Sequence, residues 1–149
     1  RNILENAQNG IPAYVVEKSE RISENHRRSI QMYYAAGGNI AMGTDAGTPF
    51  NKHGANAIEL EFMADLGIKP IDALRSGTSV SADLMGLEDQ GRIAKGNAAD
   101  FLVVDGNPGT DIQMAARREN HRLVIKGGTL ITGQPAHMSG PIFQRMAAF

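Results

Sequence analysis

Residues 39–47 read NIAMGTDAG and place an acidic side chain, Asp45, where a short apolar segment ends in a glycine-flanked turn. The apolar part, residues 39–44, is too short and too evenly apolar for a surface helix. It therefore predicts a strand covered on both faces, as in a parallel sheet. A carboxylate at the mouth of such a strand is well placed for proton-transfer or metal chemistry.

The segments on either side of this stretch have helical periodicity. Residues 17–36 predict a helix that ends at Gly37-Gly38, with apolar-face positions Ile22, His26, Ile30 and Tyr34. After a loop at residues 46–54, a second helix is expected to end at Gly67, with apolar positions Ile58, Phe62, Met63 and Leu66. Pro70 suits the first turn of a third helix, which Gly77 can interrupt and Gly86 ends.

The pattern changes to turns and strands from Gly91 onward. Strands are expected at residues 101–104, 123–125 and 130–131, with a turn at residues 107–109. A boundary near residues 88–91 therefore separates an α/β part, residues 1–88, from a β part, residues 89–132. Residues 133–149 form a tail without periodicity, to which no element is assigned.

Composition narrows the class of protein. The chain has 149 residues, is 42% hydrophobic and carries 15 basic and 16 acidic residues for a net charge of -1. This balance gives no electrostatic reason to expect nucleic acid or an anionic membrane as a partner. The chain has no cysteine, and no apolar run approaches a membrane span, so a cytoplasmic protein is expected. It begins without methionine, in the middle of a segment, and is expected to be a fragment.

Three motifs follow one another along the chain. The first motif is GTDAG at residues 43–47, followed by His53-Gly54, Asn56 and Glu59-Leu60. The second is PIDAL at residues 70–74, followed by Thr78, Ala82 and LMGL at residues 84–87. The third is GRIAKGNAADFLVVD at residues 91–105. Together they resemble the metal-dependent amidohydrolase superfamily, in its imidazolonepropionase-like and Xaa-Pro dipeptidase (prolidase-like) branch. In that family the first motif surrounds the eighth barrel strand, the second forms paired helices after the barrel, and the third returns into a small β-sandwich. The resemblance covers roughly residues 11–131.

The resemblance implies an α/β fold that is only the C-terminal fragment of a (β/α)₈ TIM barrel, with part of a β-sandwich. A complete barrel takes about 250 residues, more than the 149 residues present. On this basis residues 1–88 are the end of the barrel, its last helices and eighth strand, and residues 89–132 are the C-terminal half of the sandwich. The family's other metal ligands have no counterpart in this sequence, so the chain alone is expected to bind no metal tightly and to be inactive.

The resemblance also implies roles for residues in the first motif. The family's aspartate that matches Asp45 coordinates a metal ion and acts as the proton shuttle, in a site that holds two zinc ions in the whole enzyme. His53 and Thr48 lie in the loop at the catalytic face and are candidate substrate contacts. Two structural alternatives stay open: Asp45 could bond backbone N–H groups of its own turn, and His53 could be a surface residue or hold the loop by a hydrogen bond.

The implied reaction is hydrolysis of a C–N amide bond, with a dipeptide of the Xaa-Pro type as substrate. An imidazolonepropionase-like or deaminase reaction on a small cyclic amide is an alternative, and a non-catalytic α/β module is an alternative of another class. The remainder of the barrel, or copies of the chain itself, are the expected protein partners, since a barrel strand without neighbours has open edges.

The other polar and methionine residues have expected structural roles. Asn56 and Glu59 are spaced as a capping box. Packing is expected for His26, Met63 and Met85, and turn or strand-edge roles for Asp100 and Asp105. His121 and His137 are expected to be structural or solvent-exposed.

Overall fold

The computed structural model describes residues 2–133, and the predicted tail, with His137, lies outside this range except for Gly133. Helices precede and flank a three-stranded antiparallel sheet, which agrees with a chain of mixed α and β structure. The helices are α1 (Asn2–Glu5), α2 (Ala13–Ala35), α3 (Glu59–Asp65), α4 (Pro70–Ser76), α5 (Ser79–Met85) and α6 (Gln113–Ala116). The strands are β1 (Phe101–Val104), β2 (His121–Lys126) and β3 (Thr129–Gly133), and short 3₁₀ turns cover Asn56–Ile58 and Arg118–Asn120. Within residues 2–133, no helix is long and apolar enough to cross a membrane.

Helix α2 confirms the first predicted helix and begins four residues before the predicted start at residue 17. Two hydrogen bonds join its C-terminal half to α4 and to the turn that precedes α4. The Tyr34 hydroxyl donates to Asp72 Oδ2 at 2.7 Å, and Gln31 Nε2 donates to the Leu66 carbonyl at 3.1 Å. Its N-terminal half contacts the short α1. Ile22 is 50% exposed there and His26 is exposed, so the predicted packing role of His26 is wrong. The stripe is periodic, but only its second half reaches the core.

Among the described residues, the predicted strand at residues 39–44 is an extended segment without a sheet partner. A backbone hydrogen bond joins its Met42 N to the carbonyl of Ser76, the last residue of α4, at 3.0 Å. Ile40 and Met42 pack against the core, while Gly43 is exposed. The strand prediction is therefore wrong for the described residues, because a ladder needs a neighbouring strand and β1, β2 and β3 pair only with one another.

Glycine and proline positions set the ends of the three helices that follow. Gly67 and Gly86 adopt φ of 90° and 69° after α3 and α5, conformations that suit a residue without a Cβ atom. Pro70 opens α4, and Gly77 separates α4 from α5, as the sequence predicts.

Two smaller expectations for these helices are wrong. Asn56 does not cap a helix: it is the first residue of a 3₁₀ turn that follows Ala55, and neither this turn nor α3 has a side-chain cap. The loop leads into the helix through this extra turn, which removes the geometry that a capping box requires. Met85 is 70% exposed in the last turn of α5, whereas Met63 is 5% exposed in the core, as expected.

The core joins the helices to the region that follows β1. The helical part of the chain contributes Leu60 and Met63 from α3, Ile68 from the turn before α4, and Ala73 from α4. These side chains pack against Ile112, Ala115 and Ala116, in and next to α6. Across the same contact, Arg117 donates to both carboxylate oxygens of Glu61, at 2.7 and 3.1 Å. Residues on both sides of the predicted boundary at 88–91 thus share one core.

The antiparallel sheet has the order β1-β2-β3, with Phe101 opposite Ile125 and Val124 opposite Thr132. Asp100 accepts hydrogen bonds from Gly127 N at 2.7 Å and from Lys126 Nζ at 3.1 Å, which hold the pKa of its carboxyl below the ordinary value. Asp105 pairs with Arg122, so both aspartates have the expected strand-edge roles. His121 Nε2 lies 2.8 Å from the Ala115 carbonyl, which is a structural role.

Candidate functional site

The candidate site is the loop that follows the extended segment, residues 44–54. Asp45 stands at its start with φ of 50°, in the left-handed region, and Gly47 follows with φ of 101°. Aspartate is one of the few residues with a side chain that visit this region readily. The chain therefore turns sharply at Asp45 and leaves the side chain of this residue exposed.

Backbone groups around Asp45 are tied together by hydrogen bonds. Thr48 Oγ1 donates to the Asp45 carbonyl at 3.0 Å, and Gly47 N donates to the Asn51 carbonyl at 2.8 Å. Asn51 N donates to the Thr48 carbonyl at 3.0 Å, and the Asn51 side-chain amide donates to the Thr44 carbonyl. The loop is thus closed on itself through Asn51, a residue that the sequence analysis did not single out.

The Asp45 carboxylate takes no part in this network. Within residues 2–133 it accepts no hydrogen bond and forms no ion pair, whereas Asp72, Asp83, Asp100 and Asp105 all do. The structure thus does not support the alternative in which Asp45 bonds backbone N–H groups of its own turn. Its two carboxylate oxygens are available to a ligand.

His53 lies across the loop from the turn. A Cβ atom at Gly47 would come within 3.0 Å of His53 Nε2, so the imidazole ring sits directly against the Gly47 backbone. Thr48 is exposed and already donates its hydroxyl hydrogen to the Asp45 carbonyl. The fold therefore brings the three predicted site residues, Asp45, Thr48 and His53, into one short loop with accessible side chains.

The same loop supplies only part of a metal site. Carboxylate oxygen suits a divalent ion, and Asp45 offers it without a competing partner. Catalytic zinc takes about three protein ligands, and residues 2–133 contain no group of three or more His, Cys, Asp or Glu side chains that could hold a metal ion. Asp45 fits the role of a single ligand in a larger site.

Two further features border the loop. Burial raises the pKa of Glu59 above its ordinary value of 4.5, an effect that the nearby charge of His26 partly opposes.

A groove of about 910 Å³ runs from Gly54 and Ala55, at the end of the loop, to Val124 and Thr132 in the sheet. Asp45, Thr48 and His53 do not line this groove, so the groove is separate from the candidate chemistry.

Comparison with known proteins identifies relatives for this arrangement. The sequence profile of the amidohydrolase family matches residues 2–131. Ochratoxinase of Aspergillus niger is 29% identical over 119 residues, which are 78% of this chain and 24% of that protein. The chain thus spans about a quarter of the curated relative.

Solved structures with similar folds include two peptidases. A Xaa-Pro dipeptidase with bound methionine in its active site is 35% identical, with a TM-score of 0.76, and the match covers 88% of this chain and 32% of that one. A prolidase complexed with N-methylphosphonate-L-proline is 29% identical, with a TM-score of 0.77, and the match covers 89% of this chain and 32% of that one.

Members of the amidohydrolase family are hydrolases that act on C–N bonds, and they are typically metal-dependent. The order of motifs predicted this relationship, and the profile match over residues 2–131 confirms it. The chain belongs to the amidohydrolase family.

Proposed function

We propose that this chain is the C-terminal portion of a binuclear metal-dependent amidohydrolase that cleaves the C–N amide bond of a dipeptide of the Xaa-Pro type. In this proposal residues 1–88 complete a (β/α)₈ barrel and residues 89–132 complete a β-sandwich. The proposal is supported by the likeness to a Xaa-Pro dipeptidase and to a prolidase bound to a proline phosphonate. Ochratoxinase, one of the curated relatives, leaves the substrate class to be tested.

The observation that carries the proposal is the exposed Asp45 carboxylate, which has no hydrogen-bond or ion-pair partner among residues 2–133. The turn that presents it is held by hydrogen bonds to the Thr44 carbonyl and to the Asp45 carbonyl. A divalent metal, proposed as two zinc ions, would supply an activated water as the nucleophile when bound, because such a metal lowers the pKa of its water to about 7. Asp45 would hold the metal through one Oδ, and its carboxylate would take a proton from the attacking water. Asp45 would then pass that proton to the leaving nitrogen as the amide bond breaks.

His53 and Thr48 are proposed substrate contacts on the same loop. Because the Thr48 hydroxyl donates its hydrogen to the Asp45 carbonyl, its oxygen can only accept from a ligand, as the ammonium group of a dipeptide would require. The His53 side chain makes no hydrogen bond or ion pair within residues 2–133, so its ring N–H is available to a substrate carboxylate or carbonyl. Replacing Thr48 with Val and His53 with Ala should raise KM for dipeptides.

The decisive test replaces Asp45 with Asn in a complete enzyme that contains this segment. Asparagine keeps the shape and the left-handed tendency of aspartate but can neither ligate as an anion nor carry the proton. Turnover should fall by at least about 10²-fold, since general acid–base catalysis alone contributes about 10²–10⁴-fold. The matched control is Asp89→Asn, at an exposed position outside the loop. Near-normal turnover of Asp45→Asn would refute the assignment.

A substrate panel tests the proposed specificity against the alternatives. Xaa-Pro dipeptides, other dipeptides and small cyclic amides are compared by kcat/KM on the complete enzyme. Preference for a cyclic amide would replace the dipeptidase assignment with ring opening or deamination. Loss of all activity against every class would favour the non-catalytic module.

The proposed protein partner is the remainder of the barrel, or a second copy of the chain. The support is the extended segment at residues 39–44, which has the length of a strand and no sheet neighbour among residues 2–133. Extended backbone with unpaired N–H and C=O groups favours association. Light scattering of the isolated chain should detect species larger than the monomer, and a strictly monomeric chain at all concentrations would count against this proposal.

A further inference from the structure

We infer that Asn51 is a positioning residue that fixes the direction of the Asp45 carboxylate; this inference rests on the proposed function. Asn51 touches neither the carboxylate nor any group proposed to react. It acts on the backbone on both sides of Asp45, through its side chain on one side and its carbonyl on the other. Neither the sequence motifs nor the family membership assigns this residue a role here.

The geometry makes Asn51 the point at which the loop is closed. Its side-chain amide donates to the carbonyl of Thr44, the residue before Asp45. Its carbonyl accepts from Gly47 N at 2.8 Å, two residues after Asp45. Its own N–H donates to the Thr48 carbonyl at 3.0 Å. Asn51 therefore holds the peptide group that precedes Asp45 and the Ala46–Gly47 peptide group that follows it. Asn51 is half-buried, whereas Phe50 and Lys52 on either side of it are exposed.

These hydrogen bonds matter because Asp45 has a left-handed backbone conformation, with φ of 50°. Aspartate adopts this conformation more readily than most residues with a Cβ atom, but it still carries a steric cost that the surrounding hydrogen bonds offset. Without the bond from Asn51 to Thr44, Asp45 can relax to negative φ, which swings its Cα–Cβ bond to another direction. A misplacement of about 1 Å at a reacting group can cost about 10²-fold in rate.

The first arm of the test uses the 149-residue chain and reads the backbone directly. A residue with positive φ gives an unusually intense nuclear Overhauser effect between its own amide and α protons. We expect this signal for Asp45 in the wild type, its weakening in Asn51→Leu, which keeps the shape without the donor, and its retention in Asn51→His, whose ring N–H can donate in place of the amide. Lys52→Ala, at an exposed neighbouring position, should leave the signal unchanged. An unchanged signal in Asn51→Leu, or an equal loss in Asn51→His, would overturn the inference.

The second arm measures kinetics on a complete enzyme that contains this segment. Asn51→Leu should lower kcat about 10²-fold with KM changed less than about 3-fold, because the reacting carboxylate moves while the proposed substrate contacts stay. Asn51→His should recover at least about 10-fold of that loss. A fall in kcat/KM that comes from KM alone, or no recovery by Asn51→His, contradicts a positioning role.

The two arms also separate this inference from the proposed function. If Asp45→Asn abolishes turnover while Asn51→Leu leaves kcat unchanged, the proposed function stands and the inference fails. If Asp45→Asn retains turnover, the proposed function fails, and the proposed effect of Asn51 on kcat fails with it. In that case the signal of Asp45 in the isolated chain still decides whether Asn51 holds the turn.

Discussion

Ile68 offers a direct test of the core that joins the two parts of the chain. It follows the left-handed Gly67, is 3% exposed, and packs with Leu60, Met63 and Ala73. Replacement with Ala removes three carbon atoms, which at about 0.8 kcal/mol each amounts to roughly 2.4 kcal/mol of lost transfer free energy. The cavity left among these side chains adds to this, and the total loss of unfolding free energy should be about 3–4 kcal/mol.

Equilibrium unfolding in urea, followed by circular dichroism, measures this loss. With a slope of about 1–3 kcal/mol per molar urea, the midpoint should fall by roughly 1–4 M at constant slope. The matched control is Ile93→Ala, which removes the same atoms from a residue that is 86% exposed and should change stability by less than about 0.5 kcal/mol. A loss below about 1 kcal/mol for Ile68→Ala, or equal losses for both variants, would refute the packing described for this core.

Three further predictions concern a turn, a titration and the metal. Gly91→Ala should destabilise the chain by more than about 1 kcal/mol, because at φ of 73° the added Cβ would lie 2.7 Å from the Thr78 carbonyl oxygen. The control Gly96→Ala, at φ of 94° with nothing near the added Cβ, should lose less unfolding free energy in the same urea titration, and equal losses would contradict the close approach at Gly91. Because burial raises the folded-state pKa of Glu59 above 4.5, the folded chain binds this proton more tightly than the unfolded chain, and stability should decline as the pH rises from about 4.5 through the folded-state pKa. Glu59→Gln should therefore gain stability relative to the wild type over that rise, and a pH-independent difference would contradict this prediction. Elemental analysis of the isolated chain after dialysis against zinc should find no stoichiometric metal, because Asp45 alone cannot replace about three protein ligands, and one bound zinc per chain would overturn this expectation.

The positions of the helices could largely be predicted from the sequence, because local chemistry fixes where a helix ends. Gly67 and Gly86 stop helices with positive φ, and Pro70 starts one, whatever the rest of the chain does. The strands at residues 101–104 and 123–125 were equally clear from their apolar runs between turn residues. Helix α6 was missed: its four residues, Gln113–Ala116, are too few to show a period, and its burial depends on contact with α3.

The candidate site divides in the same way. The sequence identified Asp45, Thr48 and His53 through a motif whose residues are adjacent along the chain. It gave no signal for Asn51, since an asparagine in a loop rich in glycine and proline is ordinary loop composition. Only the folded loop brings its amide to the Thr44 carbonyl, seven residues away along the chain.

By itself, then, the sequence determined which residues end the helices, which runs are apolar, and that an acidic residue follows residues 39–44 in an order of motifs typical of one enzyme family. These are properties of neighbours along the chain, where backbone preference and side-chain chemistry act over a few residues. The tertiary structure decided that, among residues 2–133, the segment 39–44 has no sheet partner and the Asp45 carboxylate has no hydrogen bond or ion pair. It also decided that only half of the α2 stripe is covered, and that Asn51 bonds the Thr44 carbonyl before Asp45 and Gly47 N after it. Burial and hydrogen-bond partners depend on which distant segments meet, and periodicity along one segment carries no information about that.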